Sequence, residues 1–397
     1  MRIDTLSFLP IFINQLLRKG SSLAVKSVVE YPLPAAGETH EILAVSDELL
    51  LISQQTDGSL VKVALNQKGQ PVAARKYIVT NPWSGLHGLA LHLGSSSSGA
   101  NSTVWATVQF DNAILQIDPN GNDINSPPRV LRTIPLPAPA FGPHGILEHN
   151  GSLWAACKDS SHIVRMTIDK PDEDHQVWAV SGRPIFTAVH PTSGDVFAGL
   201  DLSSKIWRYK NDGGTGEEIA VPPDKGTTPV GLLAGPDKNA WVVLLGNSTA
   251  GTGTFGRINK DASIDWFTLS SSIGSAAPLI HMAFNDQDPT QLWLLGSSTL
   301  CAACVNAVFT VKIEDTASGT ARPRIAVQNT VMLPTQRSWT HRMIVHRGDL
   351  YITELTTSTL AHVSGGAVTG LNISETWDQY AFSGVGARVD ALDYSNA

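Results

Sequence analysis

Charged residues are scarce in this sequence. They make up only 16% of the 397 residues, whereas hydrophobic residues make up 42%. A long disordered chain needs the opposite balance, and a long coiled coil needs abundant Glu, Lys and Arg, so both classes are excluded. The net charge of −7 argues against a nucleic-acid partner. We therefore expect a folded protein with a substantial apolar core.

Cysteine is also rare, with three residues, of which Cys301 and Cys304 form a C-x-x-C pair. No second pair is present to complete a four-ligand zinc site, and no neighbouring βαβ pattern supports redox catalysis. The pair is therefore either a local disulfide or two ordinary thiols. Nucleotide-binding glycine loops and the G-x-S-x-G elbow of serine hydrolases are missing as well. A nucleotide-dependent enzyme and a serine hydrolase are therefore disfavoured.

Long apolar runs are missing too. The run at residues 6–17 is interrupted by polar residues and is too short to cross a bilayer, so we expect no transmembrane segment. Residues 1–26 read as a short N-terminal helix or a weak signal-like segment. Four N-x-S/T sequons occur, at Asn101, Asn150, Asn247 and Asn372. These features leave both cytoplasmic and secretory locations open.

Glycine and proline, in contrast, are abundant and follow a repeat. A short apolar run, with an aromatic second residue in six of seven copies, begins at residues 49, 104, 153, 196, 240, 292 and 350. Each copy is followed by an alternating third strand, and the period is roughly 41 to 60 residues. Short strands repeated in this way predict an all-β protein, a β-propeller of seven four-stranded blades, or six if one repeat is degenerate.

The ends of the repeat predict how the propeller closes. The phrase Tyr31-Pro-Leu-Pro34 precedes the first blade and is similar to Ile134-Pro-Leu-Pro137, which follows an outer strand. We therefore expect residues 28–31 to be the outer strand of the last blade, which removes an exposed sheet edge. Residues 27–365 then form a single propeller domain, and residues 366–397 form a C-terminal tail.

The first strand of each blade lies nearest the axis, and its first residues point toward one mouth of the central channel. In blade order these residues are His40, His87, His144, Ile185, Val230, His281 and His341. His281 matches the repeat position only to within one or two residues. The repeated His is either a structural turn copied by duplication or a cluster of imidazoles for acid–base chemistry or metal binding.

One carboxylate is expected beside this cluster. Glu354 ends the second strand of the last blade, next to the strand that begins near His341, and could orient the ring of that His. Glu41 follows His40 directly, so strand alternation places it on the opposite face and we discount it.

The other side chains expected at the mouth are mainly apolar or amide-bearing. The predicted substrate-binding residues are His40, Trp83, Phe141, Phe186, Trp339, Arg342, Gln54 and Gln109. A sugar or phosphate site would need more charge. The mouth therefore suits a hydrophobic small molecule with one or two polar groups. The sequence does not indicate an oligomeric state.

These features resemble the virginiamycin B lyase-like propellers, within the superfamily that also holds SMP-30-like lactonases. The resemblance covers about residues 28–365 and rests on Pro143-His144-Gly145, on Asp118-Pro-Asn-Gly121 and on Glu30-Tyr31-Pro-Leu-Pro34. It implies a lactone-opening elimination with Mg²⁺ held by carboxylates and a His base. His341 and Glu354 match that motif, but Trp339 stands where a second carboxylate is expected, which removes a metal ligand.

The insertions at 94–102 and 297–308, together with the aromatic mouth, are closer to the diverged propellers of fungal natural-product pathways. Among these are hetero-Diels–Alderases that join a tropolone-type quinone methide to humulene. The resemblance implies a lyase or cyclase that needs no cofactor and no metal. We predict His341, Glu354, His144, His87 and His281 as its catalytic residues. The alternatives are a Mg²⁺- or Ca²⁺-dependent lyase or lactonase, which EDTA would inactivate, and a non-catalytic binding propeller.

Overall fold

The structure, a computed structural model, describes residues 28–92, 102–301, 303–314, 322–366 and 391–393. The predicted N-terminal segment, residues 1–26, lies outside them, as do the sequons at Asn101 and Asn372. The described residues form seven antiparallel sheets with a few short helical turns. None of the helices in this part of the chain is long and apolar enough to cross a membrane.

Each sheet is one blade of a propeller. The strands of blades 1 to 3 are β2 (Thr39–Ser46), β3 (Leu49–Gln54), β4 (Ser59–Leu65), β5 (Pro71–Ile78), β6 (Leu86–His92), β7 (Thr103–Val108), β8 (Ala113–Asp118), β9 (Arg129–Pro135), β10 (Pro143–His149), β11 (Ser152–Cys157), β12 (His162–Thr167) and β13 (His175–Ala179). The strands of blades 4 to 6 are β14 (Arg183–Val189), β15 (Val196–Asp201), β16 (Lys205–Lys210), β17 (Thr215–Ala220), β18 (Pro229–Ala234), β19 (Ala240–Leu244), β20 (Thr254–Ile258), β21 (Ile264–Thr268), β22 (Leu279–Phe284), β23 (Gln291–Gly296), β24 (Ala307–Glu314) and β25 (Arg324–Met332). Blade 7 contains β26 (Thr340–His346), β27 (Asp349–Glu354), β28 (Thr359–Val363) and β1 (Val28–Pro32).

The blades form a closed ring. The first strand of every blade contacts the first strands of both neighbouring blades, and β2 of blade 1 contacts β26 of blade 7. These seven strands therefore surround the axis. The prediction of an all-β propeller with seven blades is confirmed, and the six-bladed alternative is wrong.

The ring closes through the N-terminal strand, as the sequence predicted. β1 pairs antiparallel with β28, with Val28 opposite Val363 and Pro32 opposite Thr359. At the other end of the chain, β29 (Ala391–Asp393) pairs with β5 and adds a fifth strand to blade 1. Both contacts cover a strand edge that would otherwise be open to pairing with another chain.

The core lies in wedges between adjacent blades, because a single sheet has no other layer to cover its faces. The aromatic second residue of the repeated run, present in six of the seven blades, is buried in such a wedge. Trp105 of blade 2 packs with Leu153 and Val164 of blade 3, and Trp154 of blade 3 packs with Leu200 of blade 4. Burial of each such side chain stabilises the fold by about 1.5–3 kcal/mol. The repeated aromatic therefore stabilises the packing of its blade against the next one.

Candidate functional site

A β-bulge at the start of every inner strand builds the axial site. In each blade the pairing of the first and second strands shifts by one residue at this point, so the inner strand holds one extra residue. The residues within the bulges are His40-Glu41, His87-Gly88, His144, Ile185-Phe186, Val230-Gly231, Ile280 and His341. A bulge interrupts strict alternation, so two successive side chains can face the channel.

The bulge residues of blades 7, 1, 2 and 3 form a continuous arc of four imidazoles. The ring centroids are 4.5 Å apart for His341 and His40, 4.1 Å for His40 and His87, and 3.6 Å for His87 and His144. All four side chains are buried. The corresponding residues of blades 4 to 6 are Ile185, Val230 and Ile280, which are also buried. The axis therefore has a polar side and an apolar side.

His281 lies one residue beyond the matching position of its blade, which Ile280 occupies. This is the shift that the sequence left open. Its Nδ1 accepts a hydrogen bond from the backbone N–H of Met343 at 3.3 Å, so the ring is held against blade 7. His281 is thus an axial residue but is not part of the four-imidazole arc.

The imidazoles of the axis are neutral at pH 7. Burial lowers the pKa of His40, and lowers the pKa of His87, His144, His281 and His341 well below the ordinary value. Nearby cationic groups add to the effect on these rings. A neutral imidazole has one free lone pair and one N–H, so each ring can accept a proton, donate a hydrogen bond or bind a metal.

A buried ion pair lies beside this arc. Arg342 Nε is 2.8 Å from Glu41 Oε1, and the guanidinium carbon is 3.0 Å from the centre of the Phe186 ring. Only 2% of the Arg342 side chain is exposed. Burial raises the pKa of Glu41 and lowers that of Arg342 to about 10. The expectation that Glu41 faces away is therefore wrong, because the bulge turns it toward the axis.

Glu354 is completely buried at the end of β27. Its register partner is Thr340, and its carboxylate accepts hydrogen bonds from Ser338 Oγ at 2.8 Å and from Thr357 Oγ1 at 3.4 Å. Burial, with a contribution from Glu30, raises the pKa of Glu354 to about 8. These contacts anchor the loop before β26, and the catalytic role of Glu354 stays a prediction.

Hydroxyl groups on the second strands hold the bulges in place. Thr107 Oγ1 accepts the N–H of Gly88 at 2.7 Å and donates to the carbonyl of His144, in the next blade, at 2.9 Å. Ser53 bridges Glu41 N–H to the carbonyl of His87 in the same way, and Thr353 bridges Arg342 N–H to that of His40. Sequence reasoning missed this set, although each of these three residues is the next-to-last residue of its second strand.

Thr107→Val should lower the free energy of unfolding by about 1–3 kcal/mol, because it keeps the shape but leaves a buried N–H and a buried carbonyl unpaired. Urea denaturation measures the change. Thr103→Val on the same strand is the control, since that hydroxyl accepts a single, partly exposed hydrogen bond from Gln116. Equal effects of the two substitutions would contradict the bridging role.

Exposed apolar side chains lie in several loops at the mouth. Of the nine large hydrophobic residues that are exposed in the described chain, five lie in loops before an inner strand or after a second strand. These five are Trp83, Phe110, Phe141, Leu202 and Trp339. Trp83 and Trp339 have left-handed φ values of 70° and 56°, which bulky residues rarely adopt. Exposed apolar patches of this kind mark binding surfaces.

Polar groups join the loops of blades 1 to 3 at the mouth. Gln55 Nε2 donates to Gln109 Oε1, and Gln109 Nε2 donates to Asp159 Oδ2, both at 2.9 Å. Lys158 lies beside this chain, and burial lowers its pKa. Gln54, in contrast, is directed to the carbonyl of Pro34 at 2.6 Å. The sequence therefore placed Gln109 at the mouth but missed Gln55 and Lys158.

The C-x-x-C pair forms a disulfide, Cys301–Cys304, in the loop between β23 and β24. The third cysteine, Cys157, is buried and unpaired. Of the two alternatives left open by the sequence, the local disulfide is therefore the one adopted.

The donors around the axis do not fit the Mg²⁺ or Ca²⁺ of the lyase alternative. Those ions prefer carboxylate, carbonyl and water oxygen. Among the described residues, Glu41 is paired with Arg342, the carboxylate of Glu354 is bonded to Ser338, and that of Glu38 lies 3.3 Å from His40 Nε2. Asp159, the carboxylate in the loop of blade 3, accepts a hydrogen bond from Gln109, and the arc itself offers imidazole nitrogens.

Comparison with known proteins supports the fold. No family model matches the chain, and no curated protein sequence matches it. Solved structures do match. A streptogramin B lyase is similar at 19% identity and a TM-score of 0.60, covering 84% of this chain and 96% of the other. A catalytically inactive His-to-Ala variant of virginiamycin B lyase from Staphylococcus aureus, solved with quinupristin, is similar at 17% identity and a TM-score of 0.62, covering 84% and 98%.

Propellers of other function reach similar values. Hydrazine synthase of Kuenenia stuttgartiensis is similar at 11% identity and a TM-score of 0.61, covering 87% of this chain and 98% of the other. At such identities the likeness shows the fold alone. This chain shares the propeller fold with the lyase-type propellers and with propellers of other function. The function of this chain has to be argued from its axial site.

Proposed function

We propose that the protein is a lyase or cyclase that carries out a non-redox elimination or cycloaddition on an apolar natural product at the axial mouth. The observation that carries the proposal is the arc of four buried, neutral imidazoles beneath a rim of exposed aromatic side chains. The rim supplies a surface for apolar rings, and the imidazoles supply proton acceptors and donors away from bulk water.

The specific reaction that we propose is a hetero-Diels–Alder joining of a tropolone-type quinone methide to a terpene such as humulene. An imidazole lone pair removes the proton of the ring hydroxyl of a hydroxymethyl precursor. The exocyclic C–O bond then breaks as the leaving hydroxyl takes up the proton from the imidazolium so formed and departs as water. The quinone methide then adds across a C=C bond of the terpene, and no group leaves in that step.

The two sides of the axis suit these two partners. An imidazole N–H, from His144 or His341, donates to the quinone-methide oxygen and draws electron density from the diene. Ile185, Val230 and Ile280 line the opposite side, where an apolar terpene is favoured. Holding the two molecules together raises their effective molarity, which needs no cofactor.

Purified protein incubated with a hydroxymethyl tropolone and humulene should form the adduct faster than the uncatalysed background, with one stereoisomer in excess. His144→Gln and His341→Gln should each lower kcat by about 10²–10⁴-fold, the usual contribution of an acid–base group. Chiral chromatography with mass spectrometry measures both. His362→Gln, where the ring is hydrogen-bonded to Asp349 in an outer part of blade 7, is the control. A racemic product at background rate would refute the cycloaddition.

A second candidate is a metal-dependent lyase or lactonase of the virginiamycin B lyase type. The fold likeness to streptogramin B lyase and to a lyase that loses catalysis in a His-to-Ala variant favours it. Turnover of a streptogramin B antibiotic, lost after EDTA treatment, would support this candidate. Saturable binding of apolar ligands with no turnover of any tested substrate would support the non-catalytic alternative.

A further inference from the structure

Three of the four imidazoles in the arc have ligand nitrogens that converge. One nitrogen from each of His40, His87 and His341 lies within 4.8 Å of the other two, and all three residues are buried. His40 Nδ1 and His341 Nε2 are already 3.0 Å apart. Nitrogens that share an ion at bond lengths near 2.1 Å stand about 3–3.5 Å apart, so small side-chain rotations complete the geometry.

The cluster also holds polar atoms that the protein itself leaves unsatisfied. His87 Nδ1 and Nε2, together with His341 Nδ1, are buried without a hydrogen-bond partner. His87 is fully inaccessible to solvent. The great majority of buried polar atoms in proteins are hydrogen-bonded, so the orphan nitrogens of this cluster indicate a bound group. An ion bonded to one nitrogen of His87 would pair one of them.

A carboxylate orients one of the rings. His40 Nε2 is 3.3 Å from Glu38 Oε2. A carboxylate at this distance favours the tautomer with the proton on Nε2, which leaves the Nδ1 lone pair facing the cluster. A carboxylate behind a ligating His is the usual outer partner in metal sites, where it fixes the tautomer of the ring. The neighbouring cation Arg342 is already paired with Glu41, which reduces its repulsion of a bound ion.

We propose that His40, His87 and His341 together bind one divalent transition metal ion at the polar side of the axis. Three imidazoles and no oxygen donor suit Zn²⁺, Fe²⁺, Ni²⁺ or Cu²⁺ and disfavour Mg²⁺ and Ca²⁺. The proposal departs from the cofactor-free expectation. The binding of the ion does not depend on the proposed function, but its role in the reaction does. In that reaction the ion would polarise the substrate oxygen in place of an imidazole N–H.

The test is calorimetric titration of Zn²⁺ into the full chain after treatment with a chelator and dialysis. We expect one ion per chain and no saturable binding of Mg²⁺. His87→Gln should lower the Zn²⁺ affinity by at least about 100-fold, and Glu38→Gln by about 10-fold. His281→Gln is the matched control, since it removes another axial imidazole, a partly buried one, but leaves the three ligands intact. Absence of saturable Zn²⁺ binding, or equal losses in the two His variants, would overturn the proposal.

Two further measurements keep the test independent of folding defects and of the reaction. Co²⁺ added to the unsubstituted protein should give visible absorption bands of a nitrogen-ligated site, and their absence counts against the proposal even if His87→Gln fails to fold. Zn²⁺ binding without cycloaddition would count against the proposed function alone. Cycloaddition by a protein that binds no Zn²⁺ would overturn the metal site alone.

Discussion

Arg342→Met should lower the free energy of unfolding by about 3–5 kcal/mol. The reason is that Glu41 would be left as an uncompensated charge in the axis, where removal of one partner of a buried ion pair is strongly destabilising. The pair is inaccessible enough for this effect, since 2% of the Arg342 side chain and 14% of the Glu41 side chain are exposed. Guanidinium denaturation at pH 7 measures the change.

The double variant Arg342→Met with Glu41→Leu should recover most of this loss, because apolar residues of similar volume often replace a buried ion pair without cost. The two substitutions are in contact and therefore should not be additive. Arg324→Met, an exposed arginine on β25, should change stability by no more than about 0.5 kcal/mol. A double variant that is less stable than Arg342→Met alone would show that the ion pair is not the source of the effect.

Glu354→Gln should become increasingly stable relative to the unsubstituted protein as the pH rises from about 5 to 8. Burial raises the pKa of Glu354 to about 8 in the folded state. In this pH window the folded state keeps a proton that the unfolded state has released, so the stability of the native protein falls with rising pH. The amide of glutamine does not titrate, which removes that loss of a few kcal/mol.

The comparison between the two proteins at each pH is essential. The buried imidazoles act in the opposite direction, because the unfolded state binds their protons below about pH 6.5 and the folded state does not. That contribution is common to both proteins and cancels in the difference. Thermal or urea unfolding in steps across pH 5–8 gives the curve, and the exposed Glu314→Gln on β24 is the control. A difference that stays constant with pH would contradict a protonated Glu354.

The fold was predictable because it depends on features that recur. The apolar middle run is copied seven times, six of them with the aromatic, and a repeat this long leaves few possible architectures. Ring closure by β1 was predictable for the same reason, since the phrase after it matches one that follows an outer strand elsewhere.

The site was predictable only in part. The sequence located the imidazole arc, but it assumed that inner strands alternate strictly. The bulge breaks that alternation, so Glu41 faces the axis and pairs with Arg342, which was expected at the mouth, and His281 falls outside the arc. Phe186, expected to contact substrate, packs over Arg342 and against the edge of His144. Contacts across blades, such as the hydrogen bond from Thr107 to the carbonyl of His144, depend on how neighbouring blades are positioned. The sequence of a single repeat does not show that position.

The pairing of β1 with β28 has a consequence for biosynthesis. Residues 28–32 leave the ribosome first among the strands of the ring, and their partners at 359–363 are made last. At translation rates of about 5–20 residues per second, blade 7 stays incomplete for tens of seconds. During that interval β1 has no partner strand, and the growing end of the chain also carries an open strand edge. The order of synthesis therefore determines how long these edges can bind chaperones or aggregate.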